Sequence, residues 1–206
     1  MAGKFITLEG GEGVGKSTQA KALAAALRKR GIPVVETREP GGSEGAEAIR
    51  NLLLDGAADR WNPRAEALLF AAARADHIEK TIRPAIQAGK WVICDRFVDS
   101  SIAYQGDAVG ADAVRMLHSI GSEDYWPDRT LLLSLPLGEA AARSAIRDRG
   151  TADRIGGRDQ DYHIDVSNNF CLLAALDPAR IRTIDAVGTT REVTARLLAA
   201  IEDMLP

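Results

Sequence analysis

Gly10-Gly11-Glu12-Gly13-Val14-Gly15-Lys16-Ser17 fits the pattern G-x-x-x-x-G-K-[ST], a phosphate-binding loop. Before it, Lys4-Phe5-Ile6-Thr7-Leu8-Glu9 is an apolar strand candidate. After it, Ser17 to Arg30 carries Ala20, Leu23, Ala24 and Leu27 on one helical face. Strand, glycine loop and helix in this order form a cradle for polyphosphate. Glycines let the backbone turn sharply and aim N–H groups at an anion, and the helix adds its positive end. The cradle runs from Gly10 to Thr18, with Lys16 placed to neutralise β- and γ-phosphates and the Ser17 hydroxyl to hold Mg²⁺.

Outward from this loop, strand and helix patterns alternate, which predicts a parallel sheet covered by helices on both faces. Phe5–Leu8, Pro33–Thr37, Trp91–Cys94, Arg129–Leu135 and Ile181–Ile184 are the strand candidates. Asn62-Pro63 opens a helix that keeps Leu68, Ala72, Ala75, Ile78 and Ile82 at helical spacing until Gly89. Thr189-Thr190-Arg191-Glu192 is a capping box for a last helix with Val193, Leu197, Ile201 and Leu205 inward. The 206 residues suit one domain, residues 1–206. With 46% hydrophobic and 27% charged residues the chain has an ordinary globular mix. Its net charge of −3 gives no basic footprint for nucleic acid. No apolar run is long enough to span a membrane, and no signal peptide pattern opens the chain. Cys94 and Cys171 lack metal-ligand spacing and read as reduced thiols, so a cytoplasmic location is expected.

A phosphate cradle does not name a reaction; five further segments narrow it. Trp91-Val92-Ile93-Cys94-Asp95-Arg96 ends a strand in an acid able to hold the water shell of Mg²⁺, with Arg96 facing the same crevice. A GTPase would show D-x-x-G and then N-K-x-D, and neither appears in order. Thr37-Arg38-Glu39-Pro40-Gly41-Gly42 offers Arg38 as a fork for a second phosphate group. Phe70 and Arg74, four apart, form a ledge on which a base could stack; on spacing alone Phe70 reads more readily as core. Asp99-Ser100-Ser101-Ile102-Ala103-Tyr104-Gln105 supplies hydroxyls, a ring and an amide. Arg143, Arg147, Arg149, Arg154 and Arg158 lie in a polar stretch suited to a closing lid at about residues 143–160.

Together these segments resemble the thymidylate kinase family, which passes a phosphoryl group from ATP to dTMP. The shared pieces are F-I-T-L-E-G-x-E-G-x-G-K-S, T-R-E-P-G-G, L-L-F-x-A-x-R-x-x-H, D-R-F-x-D-S-S-x-A-Y-Q and a late D-R-I. The resemblance implies a P-loop nucleoside-monophosphate-kinase fold with a five-stranded parallel sheet, ATP and Mg²⁺ as cofactors, and a homodimer. It implies that Gly10, Gly11, Glu12, Gly13, Val14, Gly15, Lys16, Ser17 and Thr18 bind the ATP phosphates, with Arg143 nearby. Glu12 would also meet the sugar 3′-hydroxyl, and Arg38 and Arg96 would clamp the dTMP phosphate. Asp95 would position Mg²⁺ or phosphate, with Ser17 on the metal and Glu9 as a further metal candidate. Phe70 would stack on thymine and Arg74 would bond its carbonyl edge. Ser101 with Gln105 would approach the ring nitrogen side, and Tyr104 would press on the deoxyribose. The loop lacks a basic residue at Glu12-Gly13-Val14, so the catalytic arginines are expected in the lid as Arg147 and Arg149, beside Lys16, Asp95 and Arg96. Three departures stand out: Gly106-Asp107-Ala108-Val109-Gly110 lacks an arginine, Ser134 replaces a strand-end acid, and Gly156 follows D-R-I where a glutamate is usual. A kinase for another nucleoside monophosphate is the alternative reading.

Overall fold

A computed structural model describes residues 2–148 and 153–206, with only the backbone given at 147 and 148. Five strands, β1 (Phe5–Glu9), β2 (Val34–Arg38), β3 (Trp91–Asp95), β4 (Arg129–Ser134) and β5 (Ile181–Asp185), form one sheet in the order β2-β3-β1-β4-β5. Every pairing is parallel, with Leu8 opposite Asp95 and Ser134 opposite Asp185. The strand order reverses around β1, so the crevice at its carboxyl end is the place where this architecture receives ligands.

Alternation along β1 divides the core. Ile6 and Leu8 join Leu23 and Leu27 of α1 (Lys16–Lys29) and Val193 and Leu197 of α9 (Thr190–Ala199) on one face. Phe5 points the other way, toward Phe97, Phe170 and Ile82, under α5 (Val98–Val109) and α8 (Gln160–Leu176). Both faces of the central strands β1, β3 and β4 are covered and these strands are nearly fully buried, whereas the edge strands β2 and β5 are partly exposed. The remaining long helices are α2 (Glu44–Leu54), α3 (Pro63–His77), α6 (Ala111–Ser122) and α7 (Leu137–Asp148), with a short α4 (Arg83–Gln87).

One sequence expectation fails within the helix that begins at Pro63. Its inward residues are Glu66, Ala67, Ala73, Arg74 and His77, whereas Leu68 is 55% exposed and Ala72 is exposed. A π-helical turn at Ile78–Ile82 follows, and Ile78 and Ile82 are buried. The extra residue of a π turn changes the helical phase, so one apolar stripe cannot run through both segments. The buried face of α3 is polar, with Glu66, Arg74 and His77 on it.

Candidate active site

The phosphate loop joins β1 to α1. Gly13 has φ +74, and a Cβ there would lie 2.0 Å from the Ala140 carbonyl oxygen, so glycine is required where the loop meets α7. Ser43, Asn62, Asp159 and Thr189 cap α2, α3, α8 and α9 with their side chains. The N-cap of α1, Gly15, offers no side-chain acceptor, which leaves first-turn N–H groups for an anion. Lys16 is buried and donates to the carbonyls of Gly10 (3.0 Å) and Gly11 (2.6 Å). Burial, with Arg96 nearby, lowers its pKa to about 8. The Ser17 hydroxyl donates to Asp95 Oδ2, which brings the two expected Mg²⁺-side groups into contact.

Arg96 sits at the turn after β3 with φ 72, a left-handed conformation that costs a non-glycine residue energy. It donates to Gly10 O (3.1 Å), Ser100 Oγ (3.1 Å) and Glu12 Oε1 (2.5 Å), and its guanidinium lies 4.9 Å from the Tyr104 ring centroid. Burial opposes its charge, but Tyr104, Glu12, Asp95 and Glu9 outweigh burial and raise its pKa. Glu9 does not reach the crevice as a metal ligand. It is fully buried, accepting from the Phe97 N–H (2.7 Å) and the Ser100 hydroxyl (2.5 Å). Burial and the nearby Asp99 raise its pKa to about 8. Glu9 therefore braces the strained Arg96 turn from behind. Asp99 also stays out of the crevice, pairing with Arg180 at 2.6 Å.

Across from the phosphate loop, Arg74 is buried and held on two edges. Its Nε donates to Glu39 (2.8 Å) and its Nη2 to Ser101 Oγ (2.7 Å). Glu39 also receives His77 Nδ1 at 3.1 Å. Sequence reasoning gave Glu39 no task, because a carboxylate inside T-R-E-P-G-G shows no periodicity. The Gln105 amide donates to Glu66 at 3.1 Å. Arg38 is exposed at the end of β2 and pairs with Glu47 at 3.0 Å. Arg50 of α2, also missed, donates to Pro40 O (2.6 Å), and burial with the adjacent Arg38 lowers its pKa.

One cavity of about 710 Å³ links these groups. Glu12, Gly13, Val14, Gly15, Lys16, Ser17, Thr18, Asp95 and Arg96 line it at the phosphate loop. Arg38, Arg50, Phe70, Arg74, Ser101, Tyr104 and Gln105 line its other end. Arg143 of α7, Ala186, Gly188 and Thr190 border the first end; the sequence had marked Thr190 only as part of a helix cap. Gly10 and Gly11 line instead a neighbouring apolar cavity of about 560 Å³ beneath α7.

The lid arginines divide. Arg143 reaches the cavity. Arg147 lies one helical turn further along α7 with no side chain described, and Arg149 lies outside the described residues. Arg154 and Arg158 do not face the crevice as mobile charges. Arg154 has a side-chain exposure of 0% and donates to Glu66 (2.6 Å), Leu53 O (2.7 Å) and Ala58 O (3.3 Å). Arg158 donates to the same Glu66 oxygen at 2.7 Å.

The three departures have these surroundings; nothing in the structure explains the serine at Ser134. Helix α5 continues through Val109, and Asp107 accepts from Asn169 at 2.8 Å. Ser134 ends β4, and its carbonyl accepts from Ala186 N at 2.8 Å. The Gly156 N–H donates to Asp153 Oδ1 at 2.8 Å, closing the turn that carries Arg154.

A family model described as thymidylate kinase matches residues 8–197. The chain is 67% identical to a thymidylate kinase of Rhizorhabdus wittichii, with 100% of both chains covered. It is 48% identical to one of Gluconobacter oxydans, covering 100% of this chain and 98% of the relative. The crystal structure of thymidylate kinase from Ehrlichia chaffeensis superposes with a TM-score of 0.78 at 31% identity, covering 98% of this chain and 99% of that one. With the phosphate loop, the strand-end Asp-Arg pair and the buried Arg74 in one cavity, the chain belongs to the thymidylate kinase family.

Proposed function

We propose that the cavity takes ATP at the phosphate loop and dTMP at the Phe70–Arg74 end, and that the γ-phosphoryl group moves directly between them. The observation that carries this reading is the single cavity running from Lys16 to Arg74. An oxygen of the dTMP phosphate attacks the γ-phosphorus, and the bond to the β-phosphate oxygen breaks, releasing ADP. The protein's work is positioning and charge neutralisation.

Lys16 exchanges its two carbonyl partners for phosphate oxygens, and the first-turn N–H groups of α1 complete the cradle. Arg96 holds the acceptor phosphate beside it, with Arg38 and Arg50 at the mouth. Glu12, fixed by Arg96, meets the sugar 3′-hydroxyl. Phe70 stacks on the base, Arg74 bonds its carbonyl edge, Ser101 and Gln105 meet the ring nitrogen, and Tyr104 packs on the deoxyribose. Arg143, Arg147 and Arg149 neutralise the transferred group from α7 and beyond. Ser17 and Asp95, already in contact, fit Mg²⁺, which favours few protein ligands together with phosphates and water. That ion would offset charge on the phosphates when bound.

Pairing of two copies belongs to the same reading. Leu68 of α3 and Met116 and Ile120 of α6 are 55%, 65% and 75% exposed on helices that pack together, an apolar face that a second copy would cover. Light scattering of the purified chain against a Leu68→Glu/Ile120→Glu variant checks this, with a monomeric variant expected.

An ADP-release assay across dTMP, dUMP, dCMP, dGMP and UMP tests the acceptor assignment. The highest kcat/KM is expected for dTMP; a preference for any other acceptor contradicts it.

A further inference from the structure

Glu66 is 2% exposed, in the first turn of α3 on its inward polar face. Its two oxygens have different partners. Oε2 takes Arg154 Nη2 (2.6 Å) and Arg158 Nη2 (2.7 Å), while Oε1 takes the Gln105 amide nitrogen (3.1 Å). Guanidinium groups only donate, and a carboxylate between two of them only accepts. Glu66 therefore dictates which end of the Gln105 amide faces it. The NH₂ must point to Glu66, because the flipped amide would press its carbonyl oxygen against a carboxylate oxygen. Gln105 is buried and lines the cavity beside Phe70, Arg74 and Ser101, and no described residue donates to its carbonyl oxygen. That oxygen is the atom left for a ligand.

We propose that Glu66 is a positioning residue that locks Gln105 with its carbonyl oxygen toward the base, so that the enzyme selects pyrimidines carrying an imide N–H. Thymine and uracil present an N3–H that this oxygen accepts. Cytosine presents a lone pair at the same ring position, and two acceptors then face each other with neither satisfied. A site built to bond one polar group rejects an analogue lacking it much more strongly than a site built on shape alone. The two arginines matter because they fix the carboxylate. In Glu66→Gln they would hold the side-chain oxygen of the new amide, and its NH₂ would turn to Gln105. Gln105 would then offer its oxygen to that NH₂ and swing its own NH₂ to the base, reversing the polarity that the ligand meets.

The inference rests on the reading that Gln105 faces the acceptor base, and two variants of the full chain separate them. kcat/KM is measured for dTMP, dUMP and dCMP with the wild type, Glu66→Gln and Gln105→Leu. In Glu66→Gln the dTMP:dCMP ratio is expected to fall by roughly tenfold or more, with the dTMP:dUMP ratio unchanged because both bases share the imide edge. An equal loss on all three acceptors, or an unchanged dTMP:dCMP ratio, overturns the role of Glu66. If Gln105→Leu alone alters that ratio, Gln105 still reads the base and only the role of Glu66 falls. If neither variant alters it, the placement of Gln105 at the base falls too. Should Glu66→Gln not fold, NMR of the ¹⁵N-labelled wild type decides. The Gln105 side-chain NH₂ is expected to keep its hydrogen bond to Glu66 when dTMP binds; transfer of that hydrogen bond to the base overturns the proposal.

Discussion

At the residue scale, charge in this protein is assigned by what each side chain can still reach. Lys16, Arg74 and Arg96 are all drawn into the fold, yet each lines the ligand cavity. Arg154 resembles them in sequence and differs in place: all its described acceptors are protein atoms behind the cavity. A buried guanidinium of this kind acts on stability, because removing it takes the donor from the Leu53 and Ala58 carbonyls and one of two cations from Glu66, which keeps Arg158 and Gln105. Arg154→Met is therefore expected to cost about 3 kcal/mol, lowering Tm by roughly 6–12 °C in a domain of this size, with kcat near the wild-type value well below Tm. Thermal melts beside steady-state kinetics check this. An unchanged Tm with a collapsed kcat would instead make Arg154 a transferring-group arginine. The motif D-R-I had announced an important arginine but could not say which way it turned.

At the element scale, the sequence pattern located every strand to within a residue or two; the central strands β1, β3 and β4 are buried along nearly their whole length, while the edge strands β2 and β5 are partly exposed. Periodicity failed on α3, where the inward face carries Glu66, Arg74 and His77 and the outward face carries Leu68. Burial there serves polar groups that satisfy one another, and a hydrophobic stripe cannot report that. The same limit hid Glu39 and Arg50, whose roles depend on partners far along the chain. Helix α6 raises a related point. Its His118 is buried against Phe97 (5.7 Å) and Trp126 (4.8 Å), and neither ring nitrogen has a partner among the described residues. Burial, followed by the charge of Arg74, lowers its pKa from 6.5 to about 4. Well above pH 6.5 neither the folded nor the unfolded chain protonates this ring, so it has no effect there. As pH falls below 6.5 the unfolded chain takes a proton that the folded one refuses, and stability drops until about pH 4, by about 3 kcal/mol in all. His118→Phe is expected to flatten that part of the Tm-against-pH curve; an unaltered slope would show that the ring is not held neutral.

At the scale of the whole molecule, the proposed donor and acceptor sites both lie on the crevice at the carboxyl ends of the central strands. The carboxyl ends of β1 and β3 deliver the phosphate loop and the Asp95-Arg96 turn, while α3 and α5 wall the acceptor end with Phe70, Arg74, Ser101 and Gln105. The donor side was legible because a phosphate loop is local in sequence. The proposed acceptor side rests on the combined pattern of four distant segments, since no single one specifies a base pocket. Glu39 and Glu66, which hold Arg74 and Gln105 in place, became visible only in three dimensions. The claim that these two ends are separate subsites of one cavity is tested most directly by isothermal titration of Arg74→Ala with dTMP and, separately, with a non-hydrolysable ATP analogue. The account predicts that dTMP affinity falls at least about tenfold while the analogue binds as to the wild type, the loss expected for a buried charge-assisted contact. Wild-type affinity for dTMP, or an equal loss for both ligands, would contradict it.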